Sequence, residues 1–446
     1  YRVTLIALFV LYLCGAMVLG LPIAFSLLFG SIATALHMGG SATNPQIVAS
    51  QLMRGVDSVT MMALPFFIIA GELMNRGGLT KRIIDFCNIF VGNVRGGLGY
   101  VTILACLIFA SLVGSAVAST AALGAILIPM MANSGYSRAK AAGLVAAGNM
   151  VAPIMPPSVP LIVYGVAAGV SIKALFLGGV APAIYLTIIM SITWFFITRK
   201  DAVVTQGKKH TLKEALQFFL NGLWALLLPA IIIVGLRGGV FTATEAGVIA
   251  VVYALFVGIC VYRELKLKDI LQALTSASKT SAVVMFLAAA AQVAAYIMTI
   301  ARMPQLITAS LHGLVDMPLL LNFMLMVVVL LVGTAMDVVP TILILTPICL
   351  PLLKAAGIDP VYFGIIFTLV NVLGLLTPPV GPVLNVACAA GKVRMEEILG
   401  PVMPYFIAQC ALLLVMTLIP ETILVPLEWL AGYVPRTKVP SLLDYF

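Results

Sequence analysis

Two short polar segments interrupt apolar stretches of this chain. The first is Gly114–Thr120, with the sequence GSAVAST, and the second is Gly333–Asp337, with the sequence GTAMD. A helix that is interrupted at membrane depth leaves backbone carbonyl oxygens unpaired, and the hydroxyl and carboxylate oxygens of these segments add to them. A set of ligands made only of oxygen suits Na⁺ and excludes thiophilic metals.

The candidate Na⁺ ligands belong to these two segments and to one threonine that precedes a proline pair. They are Gly114, Ser115, Ser119, Gly333, Thr334, Asp337 and Thr377. Close packing of helices explains each glycine, serine or threonine taken alone, because small residues commonly serve that purpose in membranes. The occurrence of the set in duplicate favours the ion site.

Asp337 is the most informative acidic residue. It lies in an apolar stretch with no lysine or arginine close to it in sequence, and a carboxylate at membrane depth is energetically expensive. Na⁺ ligation or support of the ion site is our first interpretation. The alternatives are a cap for the following helix and a protonated carboxyl group.

A duplicated proline signature predicts where two helices are broken. The pairs Pro156-Pro157 and Pro378-Pro379 lie 222 residues apart, and each follows an asparagine, Asn149 or Asn371, at the same spacing. These asparagines either satisfy backbone groups freed by the prolines or act as further ligands. Broken helices in duplicate are typical of secondary transporters with internal repeats.

Arg302 is the candidate ligand for an acidic substrate. It follows the apolar run Val283–Ile300 and precedes Pro304. Its guanidinium group is suited to hold a carboxylate with two hydrogen bonds. Alternatively, the side chain extends to the outer membrane interface, as long cationic side chains commonly do. The position alone does not decide between the two.

The composition defines the class of protein. Hydrophobic residues make up 62% of 446 positions, charged residues 9%, and the mean hydropathy is +1.16, whereas a soluble domain carries about a quarter charged residues. The chain is therefore a polytopic membrane protein. Its net charge of +9 comes from short loops, which indicates topology and no nucleic-acid partner. We expect the first apolar segment to be retained, because no cleavage site follows it.

Loop charge predicts the topology. Five basic clusters, which the positive-inside rule places in the cytoplasm, lie at positions 76–95, 138–140, 199–213, 263–279 and 392–394. A common side for all five requires re-entrant hairpins at 99–131 and 319–353. About ten crossings remain, both termini lie outside, and the second broken helix is inverted relative to the first. Three amphipathic stretches, Leu79–Val94, Lys208–Leu220 and Leu265–Ser278, are predicted to lie along the cytoplasmic interface.

The predicted fold is an all-α polytopic membrane protein with an inverted repeat. Its segments are N-terminal scaffold helices (1–75), a cytoplasmic arm (76–97), hairpin 1 with the first broken helix (98–182), scaffold helices with a second arm (183–300), hairpin 2 with the second broken helix (301–404), a C-terminal helix (405–431) and a flexible tail (432–446).

The sequence contains no recognisable catalytic motif. It has no Walker A loop, no HExxH motif and no nucleophile elbow, and its three histidines are isolated. The seven cysteines are scattered and support neither a disulfide framework nor a metal site. An ion gradient is then the simplest energy source for a carrier. The alternatives are a passive channel or scaffold subunit, whose prolines only kink helices, and a membrane enzyme.

Several collinear motifs carry a family resemblance. They are Leu64–Ile83, Gly114–Thr120, Ala152–Gly165, Phe241–Gly247, Leu343–Gly364 and Thr377–Pro382. These segments resemble the large membrane subunit of tripartite ATP-independent periplasmic (TRAP) transporters. The resemblance covers nearly the whole chain apart from the C-terminal tail.

The resemblance implies a secondary transporter of the bacterial inner membrane, with the elevator fold of the ion-transporter superfamily. Its hairpins and broken helices would carry an organic acid together with Na⁺, while a scaffold stays fixed. It also implies two partners, a small four-helix membrane subunit and a soluble periplasmic binding protein. The chain contains neither, so we expect it to be inert alone, with both termini on the periplasmic side.

The resemblance also extends to the substrate. The sialic-acid branch is similar to this chain in having an arginine at Arg302 and serines at Ser115 and Ser158, which implies N-acetylneuraminate. C4-dicarboxylates and sugar acids are the alternatives, because Gly381–Val386 is more similar to those branches. Many family members have aspartate at the position of Ser119, so that Na⁺ ligand is here weaker, replaced by backbone, or absent.

Overall fold

A computed structural model describes residues 2–39, 44–199, 212–310, 312–378, 381–435, 439 and 441–442. These residues form 21 α-helices and contain no β-strand. The helices of the first half are α1 (Arg2–Val18), α2 (Ile23–Met38), α3 (Pro45–Val56), α4 (Ala63–Arg76), α5 (Leu79–Val91), α6 (Gly97–Val113), α7 (Ala116–Asn133), α8 (Arg138–Gly148), α9 (Val159–Ala168) and α10 (Ile172–Thr198).

The helices of the second half follow in the same way. They are α11 (Leu212–Gly238), α12 (Ala243–Phe256), α13 (Leu267–Ile300), α14 (Met303–Ser310), α15 (His312–Val315), α16 (Pro318–Gly333), α17 (Val338–Ala356), α18 (Pro360–Gly374), α19 (Pro382–Gly391), α20 (Met395–Leu418) and α21 (Glu421–Ala431).

Many of these helices are apolar enough for a membrane. Seven of the described helices are long and apolar enough to cross one, namely α7, α10, α11, α12 with the π-helical turn that continues it, α13, α17 and α20. The ten predicted crossings correspond to α1, α2, α4, α8 with α9, α10, α11, α12, α13, α18 with α19, and α20. The prediction of an all-α polytopic membrane protein is confirmed.

The helices are interrupted where the sequence predicts hairpins and breaks. α6 and α7 meet at Gly114-Ser115, α16 and α17 meet at Thr334–Asp337, and the two arms of each hairpin pack against each other. The first broken helix is interrupted between α8 and α9 and the second between α18 and α19. Each interruption contains a proline pair, which removes two amide donors and disfavours helical backbone before it.

Each hairpin packs against the broken helix of the other repeat. α7 contacts α19, and α17 contacts α9. This reciprocal pairing is expected if the two repeats are related by pseudo-twofold symmetry. It joins both hairpins and both broken helices into one packed unit, which we call the core unit.

The two broken helices of the core unit meet at Tyr164 and Gly364. The Tyr164 side chain is fully buried, and its hydroxyl donates to the carbonyl oxygen of Pro360 at 2.7 Å. A Cβ atom at Gly364 would lie 2.1 Å from Cε1 of the tyrosine ring. Glycine is therefore the residue that lets the ring approach the backbone of α18.

Basic residues of the predicted cytoplasmic clusters contact one another's segments. Arg82 of α5 pairs with Glu264 at 2.6 Å, and Arg95 donates to the carbonyl oxygen of Arg199 at 3.0 Å. Arg138 donates to the last carbonyl group of α19, beside the fifth cluster. The first cluster thus contacts the third and fourth, and the second contacts the fifth, as expected if the clusters share a side.

The C-terminal segment differs from its prediction. A single helix over 405–431 was expected, but α20 ends at Leu418 and α21 begins at Glu421. Pro420 has no amide hydrogen to continue the helical ladder, and Ile419 before it leaves the helical conformation, with φ −124° and ψ 79°. The prediction of one continuous helix is therefore wrong.

The three stretches predicted to lie along the cytoplasmic interface differ in part from the prediction. Leu79–Val94 contains α5 as predicted, but Leu265–Ser278 is not separate, because it is the first part of the 34-residue helix α13. Residues 208–211 of the third stretch lie outside the described residues, and the rest begins α11. The amphipathic helix α3 was not predicted.

Part of the segment predicted as a flexible tail packs against the helices. Val439 and Ser441 are buried, the Ser441 hydroxyl donates to Glu421 at 2.8 Å, and the Tyr433 hydroxyl donates to Asp359 at 2.8 Å. These contacts attach part of the tail to the helices. The sequence contained no signal for them, because the tail contains no apolar run.

Replacing Gly364 with alanine is expected to destabilise the core unit. The new methyl group must displace a buried ring that cannot move freely, and such overpacking costs roughly 1–3 kcal/mol. We expect Gly364→Ala to lower the thermal unfolding temperature of the purified protein. Gly400→Ala is the matched control, because Gly400 lies inside α20 and nothing lies within 4 Å of an added Cβ. Equal unfolding temperatures for the two variants would contradict the packing account.

Candidate functional site

A cavity of about 210 Å³ lies between the two hairpin tips and two helices outside the core unit. Hairpin 1 contributes Gly114 and Ser115, and hairpin 2 contributes Asp337. The opposite wall is formed by α4 and α13. The structure thus brings residues of both predicted ion segments to one cavity, which we call the tip cavity.

The tip of hairpin 1 is held by a glycine and a serine. Gly114 ends α6 with φ +64°, and a Cβ atom there would lie 2.9 Å from the carbonyl oxygen of Pro157. The Ser115 hydroxyl accepts a hydrogen bond from the amide of Ala118 at 3.4 Å and caps α7. The tip therefore lies directly on the first proline break.

The tip of hairpin 2 is built in a corresponding way. Gly333 ends α16 against α18, where an added Cβ would lie 2.7 Å from the carbonyl oxygen of Asn371. Asp337 caps α17, because its Oδ1 accepts from the amide of Val338 at 2.8 Å. Its side chain is exposed and lines the tip cavity. The capping alternative considered for Asp337 therefore holds in this structure.

Two carboxylates line the tip cavity. Glu72 of α4 lines it together with Asp337, and none of the described lining residues is a lysine or arginine. Glu72 accepts from the hydroxyl of Ser276 at 3.0 Å and lies 3.6 Å from Arg76, which is just outside the cavity. Two carboxylates beside hydroxyl and amide groups form a set of ligands for a hard cation.

Buried oxygen atoms behind the first tip lack partners. Among the described residues, the side-chain oxygens of Ser119, Thr120 and Asn149 are buried without a hydrogen-bond partner. Their elements, α7 and the 3₁₀ turn that follows α8, are in contact. Both polar atoms of the Asn371 side chain are in the same situation at the second break. Because buried polar atoms are nearly always paired, these oxygens are candidate ligands for a cation.

Several predicted ligands lie elsewhere in this conformation. Ser158 is buried and caps α9, accepting from the amide of Leu161 and donating to the carbonyl oxygen of Pro153. Thr334 and Thr377 donate to helical carbonyl oxygens of their own helices. None of Ser158, Thr334 and Thr377 lines the tip cavity. The breaks contain Pro156, Pro157 and Pro378 as predicted, whereas Pro379 lies outside the described residues.

Arg302 is far from the tip cavity. α13 contributes Thr280 to that cavity, and Arg302 follows the end of the same helix. At 1.5 Å per residue the two positions are roughly 30 Å apart along the axis. Arg302 is exposed with φ +54°, so the arrangement matches the interfacial alternative in this conformation.

Sequence reasoning missed the wall that faces the tips. Glu72, Asn75 and Thr280 are polar lining residues that were not proposed as ligands. A signal existed for Glu72, which directly follows the apolar run at the start of α4. The sequence contained no such signal for Thr280, because only the folded chain places α13 opposite the hairpins.

The interrupted helices and the cavity between them are typical of multi-pass membrane carriers, and comparison with known proteins identifies the family. The family described as "Tripartite ATP-independent periplasmic transporter, DctM component" matches residues 8–422. The chain belongs to this family, and the resemblance found in the sequence is confirmed. The name tripartite implies two further components in general.

Relatives of known name match nearly the whole chain. The 2,3-diketo-L-gulonate TRAP transporter large permease protein YiaN of Escherichia coli is 46% identical over 94% of this chain and 98% of its own. The sialic acid TRAP transporter large permease protein SiaM of Vibrio cholerae is 35% identical over 94% and 97%. The C4-dicarboxylate TRAP transporter large permease protein DctM of Pseudomonas aeruginosa is 35% identical over 86% and 90%.

A solved structure shares the fold at low identity. The Alcanivorax borkumensis YdaH transporter matches with a TM-score of 0.62 and 14% identity over 92% of this chain and 99% of its own. The likeness supports the polytopic membrane fold. The named relatives are transporter permeases, so a transporter is supported over an enzyme.

Gly114→Ala is expected to impair the site more than a backbone effect alone explains. A positive φ costs an alanine roughly 1–2 kcal/mol, and here the methyl group also meets the Pro157 carbonyl group. Gly135→Ala is the control, because Gly135 has φ +96° and open space around it. We expect both variants to lose stability, and only Gly114→Ala to weaken Na⁺ binding, by about tenfold, equivalent to about 1.4 kcal/mol. Isothermal titration with Na⁺ measures this, and equal Na⁺ affinities would contradict the assignment.

Proposed function

We propose that this chain is the large subunit of a carrier that couples the uptake of an organic acid to Na⁺. The observation that carries the proposal is that two carboxylates, Glu72 and Asp337, line the tip cavity, while none of its described lining residues is a lysine or arginine. Arg76 pairs with Glu72 from outside the cavity, so Asp337 is the carboxylate without a cationic partner there. An acid entering such a space is repelled unless a cation enters with it.

The coupling follows from electrostatics. Unit charges a few ångströms apart interact by several kcal/mol at the dielectric constant of a partly buried site. Na⁺ ions at the hairpin tips offset the carboxylates, and their charge then attracts the carboxylate of the substrate. At the hairpin tips the acid is held only while Na⁺ is bound, which is the condition for symport. The unpaired oxygens of Ser119, Thr120 and Asn149 support a site for one ion.

The position of the tip cavity between two parts of the molecule suits an elevator mechanism. Its hairpin wall belongs to the core unit, and its other wall belongs to α4 and α13. We propose that the core unit moves along these two helices while they remain fixed. Gly71 of α4 supports a sliding contact, because an added Cβ would lie 2.8 Å from the carbonyl oxygen of Leu112 in hairpin 1.

A sugar acid is the substrate class that we propose to test first. The relative named for 2,3-diketo-L-gulonate is 46% identical to this chain, whereas the relatives named for sialic acid and C4-dicarboxylates are 35% identical. This difference supports the sugar-acid alternative ahead of N-acetylneuraminate. The position of Arg302 outside the tip cavity removes one argument for the sialic-acid branch in this conformation.

The proposed setting follows from the family. The chain works in the bacterial inner membrane, with both termini on the periplasmic side, together with a small four-helix membrane subunit and a periplasmic binding protein. The isethionate TRAP transporter permease protein DctMQ of Oleidesulfovibrio alaskensis supports a direct membrane partner, since this chain covers 64% of its length.

Removal of the Asp337 charge is expected to weaken Na⁺ coupling. Asp337→Asn keeps a group that can cap α17 but removes the carboxylate. In vesicles with both partner components, we therefore expect the Na⁺ concentration for half-maximal uptake to rise about tenfold. Asp359→Asn is the control, because Asp359 also caps a helix but lies outside the tip cavity. An unchanged Na⁺ requirement in Asp337→Asn would sink the ligand assignment. Full-rate uptake without a Na⁺ gradient or without binding protein would favour the passive channel.

The substrate class is tested by ligand stabilisation of the purified chain. A ligand present at 100 times its dissociation constant stabilises the folded state by about 2.7 kcal/mol. We expect 2,3-diketo-L-gulonate to raise the unfolding temperature more in NaCl than in choline chloride, and at lower concentration than N-acetylneuraminate or succinate. Stabilisation by N-acetylneuraminate at the lowest concentration would restore the sialic-acid assignment.

A further inference from the structure

A second cavity, of about 800 Å³, lies farther along the same helices. α13 lines the tip cavity at Thr280 and Val284 and lines the second cavity from Ala288 to Thr299. α9 and α17 likewise begin at the tip cavity and end at the second one. The second cavity therefore lies on the side opposite the basic clusters, and we call it the outer vestibule.

The outer vestibule has the opposite charge to the tip cavity. Arg54, in the last turn of α3, and Lys354, in the last turn of α17, both line it, and none of its described lining residues is acidic. Asp57, the acidic residue nearest to Arg54 in sequence, is not among the lining residues. The tip cavity has two carboxylates and the vestibule two cations, although both are enclosed by the same helices.

Helix termini alone do not explain this arrangement. A cation in the last turn of a helix is favoured by the helix dipole, which accounts for Arg54 and Lys354 one at a time. The helix dipole does not explain why both cations line one cavity that has no acidic residue among its described lining residues. Both side chains are exposed, and no ion pair or hydrogen bond is formed by either within the described residues. Both cations would attract an anion that enters the cavity.

The rest of the vestibule suits a small polyhydroxylated anion. Ala288, Ala291 and Ala295 recur on one face of α13 and leave space. Gln292 and Thr299 on the same helix are exposed and add hydrogen-bonding groups. A cavity of this size holds a six-carbon acid, because small-molecule sites typically measure about 300–1,000 Å³.

We propose that the outer vestibule is a receiving site for the organic acid, in which Arg54 and Lys354 hold its carboxylate before the hairpin tips reach it. The two cations belong to different parts, since Arg54 lies on α3, which packs on α13, and Lys354 lies in the core unit. The acid therefore bridges the fixed and moving parts. The identity of the anion rests on the proposed uptake function, whereas the positive potential does not.

The potential is measured with a cysteine probe. Thr299 is exposed on the vestibule wall, and its hydroxyl bonds only to the carbonyl oxygen of Ala295. Thr299→Cys is introduced into a variant in which the four exposed or half-buried native cysteines, Cys14, Cys260, Cys388 and Cys410, are replaced by serine. Its rates of reaction with anionic and cationic methanethiosulfonate reagents of similar size are compared, without Na⁺ and without transport.

The substitutions Arg54→Gln and Lys354→Gln together are expected to lower the anionic-to-cationic rate ratio by about tenfold, because two nearby unit charges act with opposite sign on the two reagents. Lys268→Gln with Lys279→Gln is the matched control. It removes the same net charge from the other end of α13, about 30 to 45 Å away, where salt screens the interaction, so the ratio stays unchanged. A ratio that is insensitive to Arg54→Gln and Lys354→Gln overturns the proposal.

The ligand is tested in the same variant. We expect 2,3-diketo-L-gulonate to slow the labelling of the cysteine at position 299 in the absence of a binding protein, with glucose as the neutral control. The protection is lost in Arg54→Gln with Lys354→Gln. Equal protection by glucose, or protection only by an added binding protein, overturns the acid site, the latter in favour of a protein-docking surface. Neither result bears on the Na⁺ dependence of uptake, so the two proposals fail separately.

Discussion

The satisfaction of backbone polar groups inside a membrane is the constraint on which this structure depends. An amide or carbonyl group that faces lipid without a partner is costly, so a helix interrupted there must be capped and covered by protein. Ser115, Ser158 and Asp337 each cap a helix that starts at an interruption. Gly114 and Gly333 let the hairpin ends approach the broken helices closely enough to cover them.

The same constraint concentrates polar chemistry in one place. Every interruption requires oxygen and nitrogen groups at a depth where the rest of the chain is apolar, and the cross-packing of hairpins and broken helices gathers these groups together. α13 then passes three regions in order. They are a groove with Arg76, Lys268 and Lys279, the tip cavity with two carboxylates, and the outer vestibule with two cations. The proposed coupling of an acid to Na⁺ rests on the carboxylates of the middle region.

The sequence predicted the interruptions well because their chemistry is local. Glycine, proline and small hydroxyl residues in apolar runs act on the backbone at their own position, so Gly114-Ser115 and Asp337 were located without knowledge of the fold. The facing wall was not predictable in this way. Glu72 and Thr280 are distant from the hairpins in sequence, and Arg302, which has a guanidinium suited to acids, lies along α13 away from the tip cavity.

The sequence by itself determined the class of protein, the duplicated breaks, the basic clusters and the family, since composition, proline spacing and motifs are properties of the chain. Only the tertiary structure decided which polar residues share a cavity and what net charge that cavity has. The physical reason is that charge at a site sums over side chains brought together from separate helices. Glu72 with Asp337, and Arg54 with Lys354, are pairs that exist only after the helices pack.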